Sequence, residues 1–391
     1  MKRPSRPSVH LDYNATTPLR PEAREVLLEV LDSGAANPSS VHGAGRAARA
    51  IIDDARDQVA GALGVPEDDI VFTSGGTESN NLALLGSIEG TEGTMRLVTT
   101  PVEHAAVLEP AEAAAARWPE RVELSLLDVD SHGQPDLAGL RSLLEDVGRE
   151  SPVLVSIIAA NNEIGTVVPF ECVRDAVGDR SNVVYHADAV QLLGKRPFHL
   201  DGVDLASFSA HKIGGPVGVG LLVRRVKSPL SPRTFGGAQE AALRPGTENV
   251  AAIAAAARAV ELAVQEASAF EERTRTLSHL LWGRLRSEIP GIKLNGPPLD
   301  DPLRLANTLN VSMPCQDART LVVRLDLDGV EVSAGSACAS GSIEPSHVLL
   351  ALGITTDRAE AGIRLSLGRE TTEEDIHTAV DRLRRTLGEA S

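Results

Sequence analysis

Short runs of apolar, often β-branched residues alternate along positions 46–245 with longer segments in which apolar residues recur every three or four positions. The short runs predict strands and the longer segments predict amphipathic helices, because the two structures place side chains on one face with different periods. Seven runs qualify as strands: 70–73, 96–100, 122–129, 153–160, 183–189, 205–210 and 218–224. Strands that alternate with helices in this way predict an α/β fold with a mostly parallel seven-stranded sheet covered by helices on both faces.

The segment 45–64 illustrates the helical period. Its apolar residues fall on one helical face: Ala48, Ile51, Ile52, Ala55, Val59 and Leu63. A face of this kind should pack against the sheet.

The pattern changes towards the C-terminus. The apolar helical segment "NVAAIAAAARAVELAVQ" (249–265) is followed by a predicted break near residue 265. The elements predicted beyond the break are an amphipathic helix at about 271–288, a strand at 307–313, a helix at about 316–327 and a last helix from Thr372. Elements that do not alternate regularly predict a smaller α+β domain.

Composition narrows the possible partners. The chain has 54 acidic and 38 basic residues and a formal net charge of −16, which argues against nucleic acid and anionic membranes as partners. The N-terminal residues are basic but lack the apolar stretch of a signal peptide, and the most apolar helical segment contains Arg258 and Glu261. These features predict a soluble cytoplasmic protein.

The three cysteines, Cys172, Cys315 and Cys338, are widely spaced and odd in number. They lack the close pairs that are typical of zinc sites and of thioredoxin-like motifs. We therefore expect neither a disulfide framework nor a metal site.

The stretch "FTSGGTESNN" (72–81) leads from a predicted strand through two glycines into a predicted helix. The N-terminus of a helix offers free N–H groups and a favourable dipole to a phosphate. An ordinary strand-to-helix turn capped by Ser or Thr fits the same residues. Taken alone, the stretch only suggests a phosphate site.

Lys212 and Asp188 each stand at the end of a predicted buried strand, in "SFSAHKIGGPVGVG" (207–220) and "YHADAVQ" (185–191). A partly desolvated lysine there is the arrangement expected of a Schiff-base lysine. An aspartate there could pair with a protonated pyridine nitrogen, which makes pyridoxal phosphate an electron sink. Each residue alone also has an ordinary explanation, as a surface lysine and as a helix cap.

Cys338 lies in the run "SAGSACASGS" (333–342), which otherwise contains only Ser, Ala and Gly. A free cysteine is usually a small buried hydrophobic residue, but this run has no large apolar residue to bury it. We expect a reactive thiol on a mobile loop at about 329–344.

Ten motifs, in the same order along the chain, resemble those of the cysteine desulfurases in the class V aminotransferase family. Among the cysteine desulfurases, the resemblance is to the NifS/IscS-like group I enzymes. The motifs, which span nearly the whole chain, are "LDYNATTP" (11–18), "NPSSVH" (37–42), "FTSGGTESNN" (72–81), "EHAAV" (103–107), "NNEIGTVVP" (161–169), "HADAVQ" (186–191), "SFSAHK" (207–212), "RPGTEN" (244–249), "SAGSACASGSIEPSHVL" (333–349) and "IRLSLGR" (363–369). The resemblance implies the fold of the type I pyridoxal-phosphate-dependent transferases.

Carried over to this chain, the resemblance implies a complete set of site residues. Lys212 would bind pyridoxal 5'-phosphate covalently, His104 would stack on its ring, Asp188 would pair with its nitrogen and Gln191 with its phenolic oxygen. The phosphate would be bound by Gly76, Thr77, Ser209 and His211, with Thr247 contributed by a second subunit. Asn162 would face both cofactor and substrate. The substrate would be held by Asn37, Asn162 and Arg364, with Arg364 binding the α-carboxylate through two parallel hydrogen bonds.

The implied reaction converts L-cysteine to L-alanine and transfers the sulfur to Cys338 as a persulfide, with Lys212, Cys338 and His104 as catalytic residues. The persulfide would then be delivered to an acceptor for iron–sulfur cluster assembly or tRNA thiolation. A selenocysteine-preferring lyase of the same family is an alternative, and a catalytically silent iron–sulfur assembly scaffold is a non-enzymatic one. The intact Lys212, Asp188, His104 and Cys338 argue against the scaffold.

The resemblance also implies a homodimer with a large cofactor-binding domain of residues 15–262. A small α+β domain would combine residues 1–14 with residues 263–391. The partners implied are L-cysteine and a protein sulfur acceptor such as an iron–sulfur scaffold. The sequence ends at "RRTLGEAS" without the longer tail by which some relatives bind that scaffold, so the acceptor stays open.

Overall fold

A computed structural model of the chain describes residues 8–34, 36–225, 230–314, 317–334 and 345–388. Strands are distributed along these ranges from the first described residues to the C-terminal part of the chain. In chain order they are β1 (Val9–His10), β2 (Ile70–Thr73), β3 (Met95–Thr99), β4 (Val122–Leu126), β5 (Val153–Ser156), β6 (Val183–Asp188), β7 (Leu205–Ser209), β8 (Gly220–Arg224), β9 (Lys293–Asn295), β10 (Thr308–Ser312), β11 (Val330–Glu331), β12 (Ser333–Ala334) and β13 (Gly362–Ser366).

The helices fall mostly between these strands. In chain order they are α1 (Pro21–Asp32), α2 (Gly43–Leu63), α3 (Gly76–Gly90), α4 (Ala105–Arg117), α5 (Leu137–Val147), α6 (Phe170–Val177), α7 (Val250–Glu288), α8 (Ala318–Leu327), α9 (His347–Ala351), α10 (Thr356–Glu360) and α11 (Glu373–Gly388). Within the described ranges, none of the helices combines the length and the apolar character needed to cross a membrane.

The largest sheet has the strand order β2-β8-β7-β6-β5-β3-β4. Only β8 runs against the other six strands, since it pairs antiparallel with both of its neighbours while the remaining pairs are parallel. Its strands are the seven that the apolar runs predict. The expected α/β fold with a mostly parallel seven-stranded sheet is therefore confirmed.

Helices cover both faces of this sheet because alternate strand residues point to opposite sides. On β2, Ile70 and Phe72 join the core formed with α1, α2, α5, α6 and α7. Val71 joins a second core with α3 and α4. The apolar face predicted on α2 is buried at Ala48, Ile52, Ala55, Val59 and Leu63, with Ile51 partly buried.

A second sheet in the C-terminal part has the order β12-β13-β10-β9 and is antiparallel throughout. The N-terminal strand β1 pairs with β11, and Asp12 bridges to Ser366 at the end of β13. A third core lies between this sheet, α8, α11 and the last turns of α7. These contacts support a small domain made from the two chain ends, and its division from residues 15–262 stays a prediction.

The break predicted near residue 265 is wrong, because α7 runs without interruption from Val250 to Glu288. The change of pattern at 265 reflects a change of neighbour. The first half of α7 is buried against the large sheet and its helices, whereas Leu277, Leu281 and Leu285 pack in the core of the small sheet. Between residues 263 and 272 the helix contains neither Pro nor Gly, so nothing in its backbone chemistry interrupts it.

Candidate active site

A cavity of about 310 Å³ opens at the carboxyl ends of the parallel strands. This edge is where open α/β sheets bind ligands, because the loops that follow the strands converge there. Ten of the predicted site residues line the cavity: Gly76, Thr77, His104, Asn162, Asp188, Gln191, Ser209, His211, Lys212 and Arg364. The structure therefore brings together residues that are as far apart as 288 positions along the chain.

Lys212 reaches the cavity from the single turn of 3-10 helix that follows β7. Its Nζ donates to the backbone carbonyl oxygens of Asn14 at 2.8 Å and Ala15 at 2.7 Å. The neighbouring His211 is half-buried, and its burial together with the charge of Lys212 lowers its pKa to about 4. His211 is therefore neutral at pH 7 and can offer an N–H to an anion without adding a charge beside the lysine.

Asp188 ends β6 and is 4% exposed. Its Oδ2 accepts a hydrogen bond from Asn80 Nδ2 at 2.7 Å, and its Oδ1 accepts one from the backbone N–H of Val190 at 3.0 Å. Both oxygens are thus held in place at the cavity wall. A buried carboxylate fixed in this way can bind a protonated ring nitrogen.

His104 is the N-cap of α4, and its Nδ1 accepts a hydrogen bond from the backbone N–H of Ala106 at 3.0 Å. A ring nitrogen that accepts this bond carries no proton, so the neutral ring has its proton on Nε2. The cap therefore fixes the tautomer of His104 and presents a donor at Nε2.

Arg364 lies in β13 and is 1% exposed. Its Nη2 donates to Oδ1 of Asp12 at 2.7 Å, and its Nη1 donates to the backbone carbonyl of Asn162 at 3.0 Å. Among the described residues, its buried Nε has no hydrogen-bond partner. The guanidinium is held at two points and keeps further N–H groups for a carboxylate.

Two further predicted residues, both described, lie away from the cavity. Asn37 and Thr247 are exposed and do not line it. Cys338 and Cys315 lie outside the described residues, as does most of the predicted loop at 329–344. Cys172 is described as a free thiol on α6, and burial is the main cause that raises its pKa.

No role was predicted from the sequence for Asn14, Asp12, Asn80 or Lys195. Asn14 connects several of the site residues by hydrogen bonds. Its side chain bonds to Asn162, Lys195 and Thr308. Its backbone carbonyl oxygen accepts from Gln191 and Lys212. Asp12 and Asn14 stand in "LDYNATTP" and Asn80 in "FTSGGTESNN", so these motifs held the signal. Lys195 stands outside the motifs.

The parallel sheet and the charged, hydrogen-bonded side chains at its carboxyl edge define an enzyme of the α/β class. The family model of the class V aminotransferases matches residues 9–378, and the chain belongs to this family.

Individual relatives and solved structures show which members of the family this chain is similar to. The chain is 42% identical over 385 residues to the cysteine desulfurase IscS of Dictyoglomus turgidum, covering 97% of this chain and 94% of that protein. A solved NifS-like protein superposes with a TM-score of 0.88 at 37% identity, covering 98% of this chain and all of the other. The structure of SspA in complex with cysteine superposes with a TM-score of 0.75 at 29% identity, covering 92% of this chain and 99% of that one.

Proposed function

We propose that this chain is a pyridoxal-phosphate-dependent cysteine desulfurase, which converts L-cysteine to L-alanine and passes the sulfur to one of its own thiols. The observation that carries the proposal is that Lys212, Asp188 and Arg364 line one cavity. They are, in that order, an amine, a fixed carboxylate and a fixed guanidinium. The relatives that bear the name cysteine desulfurase over nearly the full length support the same reaction.

The residues present fit the cofactor. A Cβ added to Gly76 would lie 2.8 Å from Cγ2 of Val190 and 3.5 Å from Cβ of Ser209, so only glycine leaves this cradle open. The cradle lies at the N-terminus of α3, where free N–H groups favour a phosphate. Asp188 suits the ring nitrogen and Lys212 suits a covalent bond to the aldehyde. Thr77, Ser209 and His211 would complete the phosphate site, and Gln191 would meet the phenolic oxygen.

When bound, pyridoxal phosphate supplies an electron sink that weakens the bonds at the α- and β-carbons of an attached amino acid. Arg364 would bind the substrate carboxylate, and Asn162, which also lines the cavity, would help to orient it. Lys212 Nζ would take the α-proton of cysteine, since it is the amine at the cavity wall. His104 would pack its ring over the cofactor and offer the proton on Nε2.

Cys338 would receive the sulfur. Its thiolate attacks the sulfur of the substrate, so an S–S bond forms while the substrate C–S bond breaks. The electron pair of that C–S bond stays with the β-carbon, which takes a proton. The product then leaves as alanine. The cysteine is thereby reduced to alanine and Cys338 is oxidised to a persulfide.

We infer that the active unit is a homodimer. Thr247 and Asn37 are exposed in the single chain, and so are several large apolar residues, the most exposed of which are Val41, Val217 and Phe235. A second copy would cover these side chains and would bring Thr247 to the partner's phosphate site.

A protein thiol, such as that of an iron–sulfur scaffold, is the acceptor we propose for the persulfide sulfur. The acceptor must be a reduced thiol, and thiols are kept reduced in the cytoplasm, where we propose that the reaction takes place.

Borohydride reduction tests the proposal. The protein incubated with pyridoxal phosphate should absorb visible light, and reduction should remove that band and add the cofactor mass to the peptide that contains Lys212. Lys212→Ala should retain cofactor through its phosphate contacts and release no alanine from cysteine, whereas Lys293→Ala, at an exposed position of β9, should behave as the parent. A protein that stays colourless after incubation would refute the proposal.

A further inference from the structure

A tight turn directly after β6 brings two buried polar side chains together. The backbone N–H groups of Leu192 and Leu193 both donate to the carbonyl of Ala189, and that of Lys195 donates to Leu192. Gly194 completes the turn at φ +73°, and a Cβ there would lie 2.8 Å from Cβ of Ala263 in α7. The turn therefore brings Lys195 to Gln191, which lines the cavity, and Lys195 itself lines a neighbouring pocket with Ala263 and Phe270 of α7.

Lys195 is 5% exposed, and its Nζ donates to two acceptors. One is Oδ1 of Asn14 at 2.8 Å, and the other is Oε1 of Gln191. Among the described residues, no carboxylate lies within ion-pair distance of this amine. Burial, together with the charges of Lys212 and Arg364, lowers the pKa of Lys195.

The two contacts of Gln191 fix the orientation of its amide. Oε1 accepts from Lys195, and Nε2 donates to the backbone carbonyl of Asn14 at 3.0 Å. A carbonyl oxygen can only accept, so the amide nitrogen must be on that side. The –NH₂ group has a second N–H, and Gln191 lines the cavity. Held from behind, the amide can present that N–H to a group bound in the cavity.

We propose that Lys195 is a positioning residue, which holds the amide of Gln191 with its N–H groups towards the cofactor's phenolic oxygen. The inference rests on the proposed function, because it needs pyridoxal phosphate in this cavity. Lys195 itself would not touch the cofactor. It would act by occupying Oε1, so that the amide cannot rotate and turn an acceptor towards an anionic oxygen.

The consequence is electronic. An N–H donated to the phenolic oxygen stabilises the anionic form of that oxygen and draws electron density out of the conjugated system. The pH at which the bound chromophore loses its proton is then lower than it would be without the donor. Removal of the Lys195 amine should raise this midpoint, and the effect should depend on the presence of Gln191.

The test is a pH titration of the visible absorption band of cofactor-loaded protein without substrate. Lys195→Met keeps most of the side-chain volume and removes the donor. We expect its midpoint to rise by up to about one pH unit, the scale of one lost hydrogen bond. Lys293→Met, which removes an exposed lysine, should titrate like the parent.

A double-mutant cycle separates positioning from a general effect of the buried charge. In a Gln191→Leu background, the further change Lys195→Met should leave the midpoint where Gln191→Leu alone puts it, because no amide remains to be held. An equal shift in both backgrounds, or no shift in Lys195→Met alone, would overturn the proposal.

Two measurements keep the outcomes distinct. If the parent protein forms no visible band, the proposed function fails and this inference fails with it. If the parent forms the band and only the Lys195 shift is missing, the cofactor site stands and the positioning role is wrong. Should Lys195→Met not fold by its thermal melting curve, Lys195→Gln replaces it. Its amide can still donate to one acceptor, so we expect a smaller rise in the same direction.

Discussion

Arg364 Nη2 lies 2.7 Å from Oδ1 of Asp12, an acidic residue 352 positions earlier in the chain. Asp12 also bridges to Ser366, two residues beyond Arg364 on the same strand. The first described residues of the chain thus fix the direction of the guanidinium at the cavity wall. An arginine oriented before the substrate arrives loses little side-chain freedom when it binds a carboxylate.

Arg364→Lys should therefore impair cysteine binding although the charge is kept. One ammonium cannot reproduce two parallel hydrogen bonds to a carboxylate, and lost charged hydrogen bonds cost about 2–3 kcal/mol, or on the order of a 100-fold rise in KM. Steady-state kinetics on cysteine measure this rise. Arg369→Lys, on the same segment but partly exposed, is the matched control and should keep the parent KM. A near-normal KM in Arg364→Lys would mean that another residue binds the carboxylate.

Thr247→Ala should weaken retention of the cofactor without altering the fold, because Thr247 is exposed in the single chain and is proposed to complete the partner's phosphate site. Dialysis followed by absorbance gives the retained fraction, and size-exclusion chromatography gives the oligomeric state. Thr276→Ala, an exposed threonine on α7, serves as control. A fully active monomer would contradict both the dimer and the role of Thr247.

Cys338→Ala should still change the visible spectrum when cysteine is added, while release of alanine collapses. The substrate can bind, but its sulfur has no thiolate to attack it. Cys172→Ala and Cys315→Ala should release alanine at nearly the parent rate. For Cys172, the raised pKa of its thiol already disfavours the thiolate.

Mass spectrometry of protein quenched during turnover locates the persulfide. We expect 32 Da, about one sulfur atom, on the peptide that contains Cys338. Added sulfur found only on the peptides of the other two cysteines would overturn the assignment. Turnover on selenocysteine that greatly exceeds turnover on cysteine would favour the selenocysteine lyase instead.

Glu103→Gln should flatten the pH dependence of stability. Glu103 is fully buried, and this burial raises its pKa from 4.5 to about 8. Between these two values the folded state binds the proton more tightly than the unfolded state. The stability contributed by this group is therefore complete below pH 4.5 and is lost as the pH rises to 8, by about 1.4 kcal/mol per pH unit.

A neutral amide at position 103 removes this slope. Urea unfolding of both proteins at pH 5, 6, 7 and 8 measures it, and the parent should lose stability relative to Glu103→Gln at each step. Oε1 of Glu103 accepts from Thr100 and from the backbone of Ile158, and the amide oxygen of glutamine can keep both bonds. Parallel curves for the two proteins would show that Glu103 is ionised in the folded state at neutral pH.

Ala242→Gly should leave the protein as stable as the parent or raise its stability by up to about 1 kcal/mol. Glu240, Ala241 and Ala242 have φ values of 47°, 54° and 61°, the left-handed region that disfavours a Cβ. Ala47→Gly, at an exposed position inside α2, is the matched control and should lower stability by about 1 kcal/mol. Equal losses in both variants would contradict the argument from backbone strain.

The sequence was sufficient to predict the strands of the large sheet, because each is a short apolar run bounded by turn residues. It was also sufficient to predict that Asp188 and Lys212 lie at strand ends, since each follows a buried apolar run, and both line the cavity. It was not sufficient for the contacts behind the cavity. In the sequence Lys195 looks like an ordinary lysine after a turn, and only the fold shows that Asn14, 181 positions earlier, contacts it.

The interpretation of α7 failed for a related reason. A fall in hydrophobicity within a helix can mark its end or a change in what it packs against, and periodicity alone does not separate these cases. The absence of Pro and Gly from 263–272 was the better guide.

The uninterrupted α7 has a mechanical consequence. At 1.5 Å per residue, its 39 residues form a rod of about 58 Å. One end of the rod is built into the core of the large sheet and the other into the core of the small sheet. If either core unfolds, half of α7 loses its packing contacts. A helix packed over only half of its length is marginally stable in water. Heat should therefore unfold the two sheets in one calorimetric transition, even though each sheet has a hydrophobic core of its own.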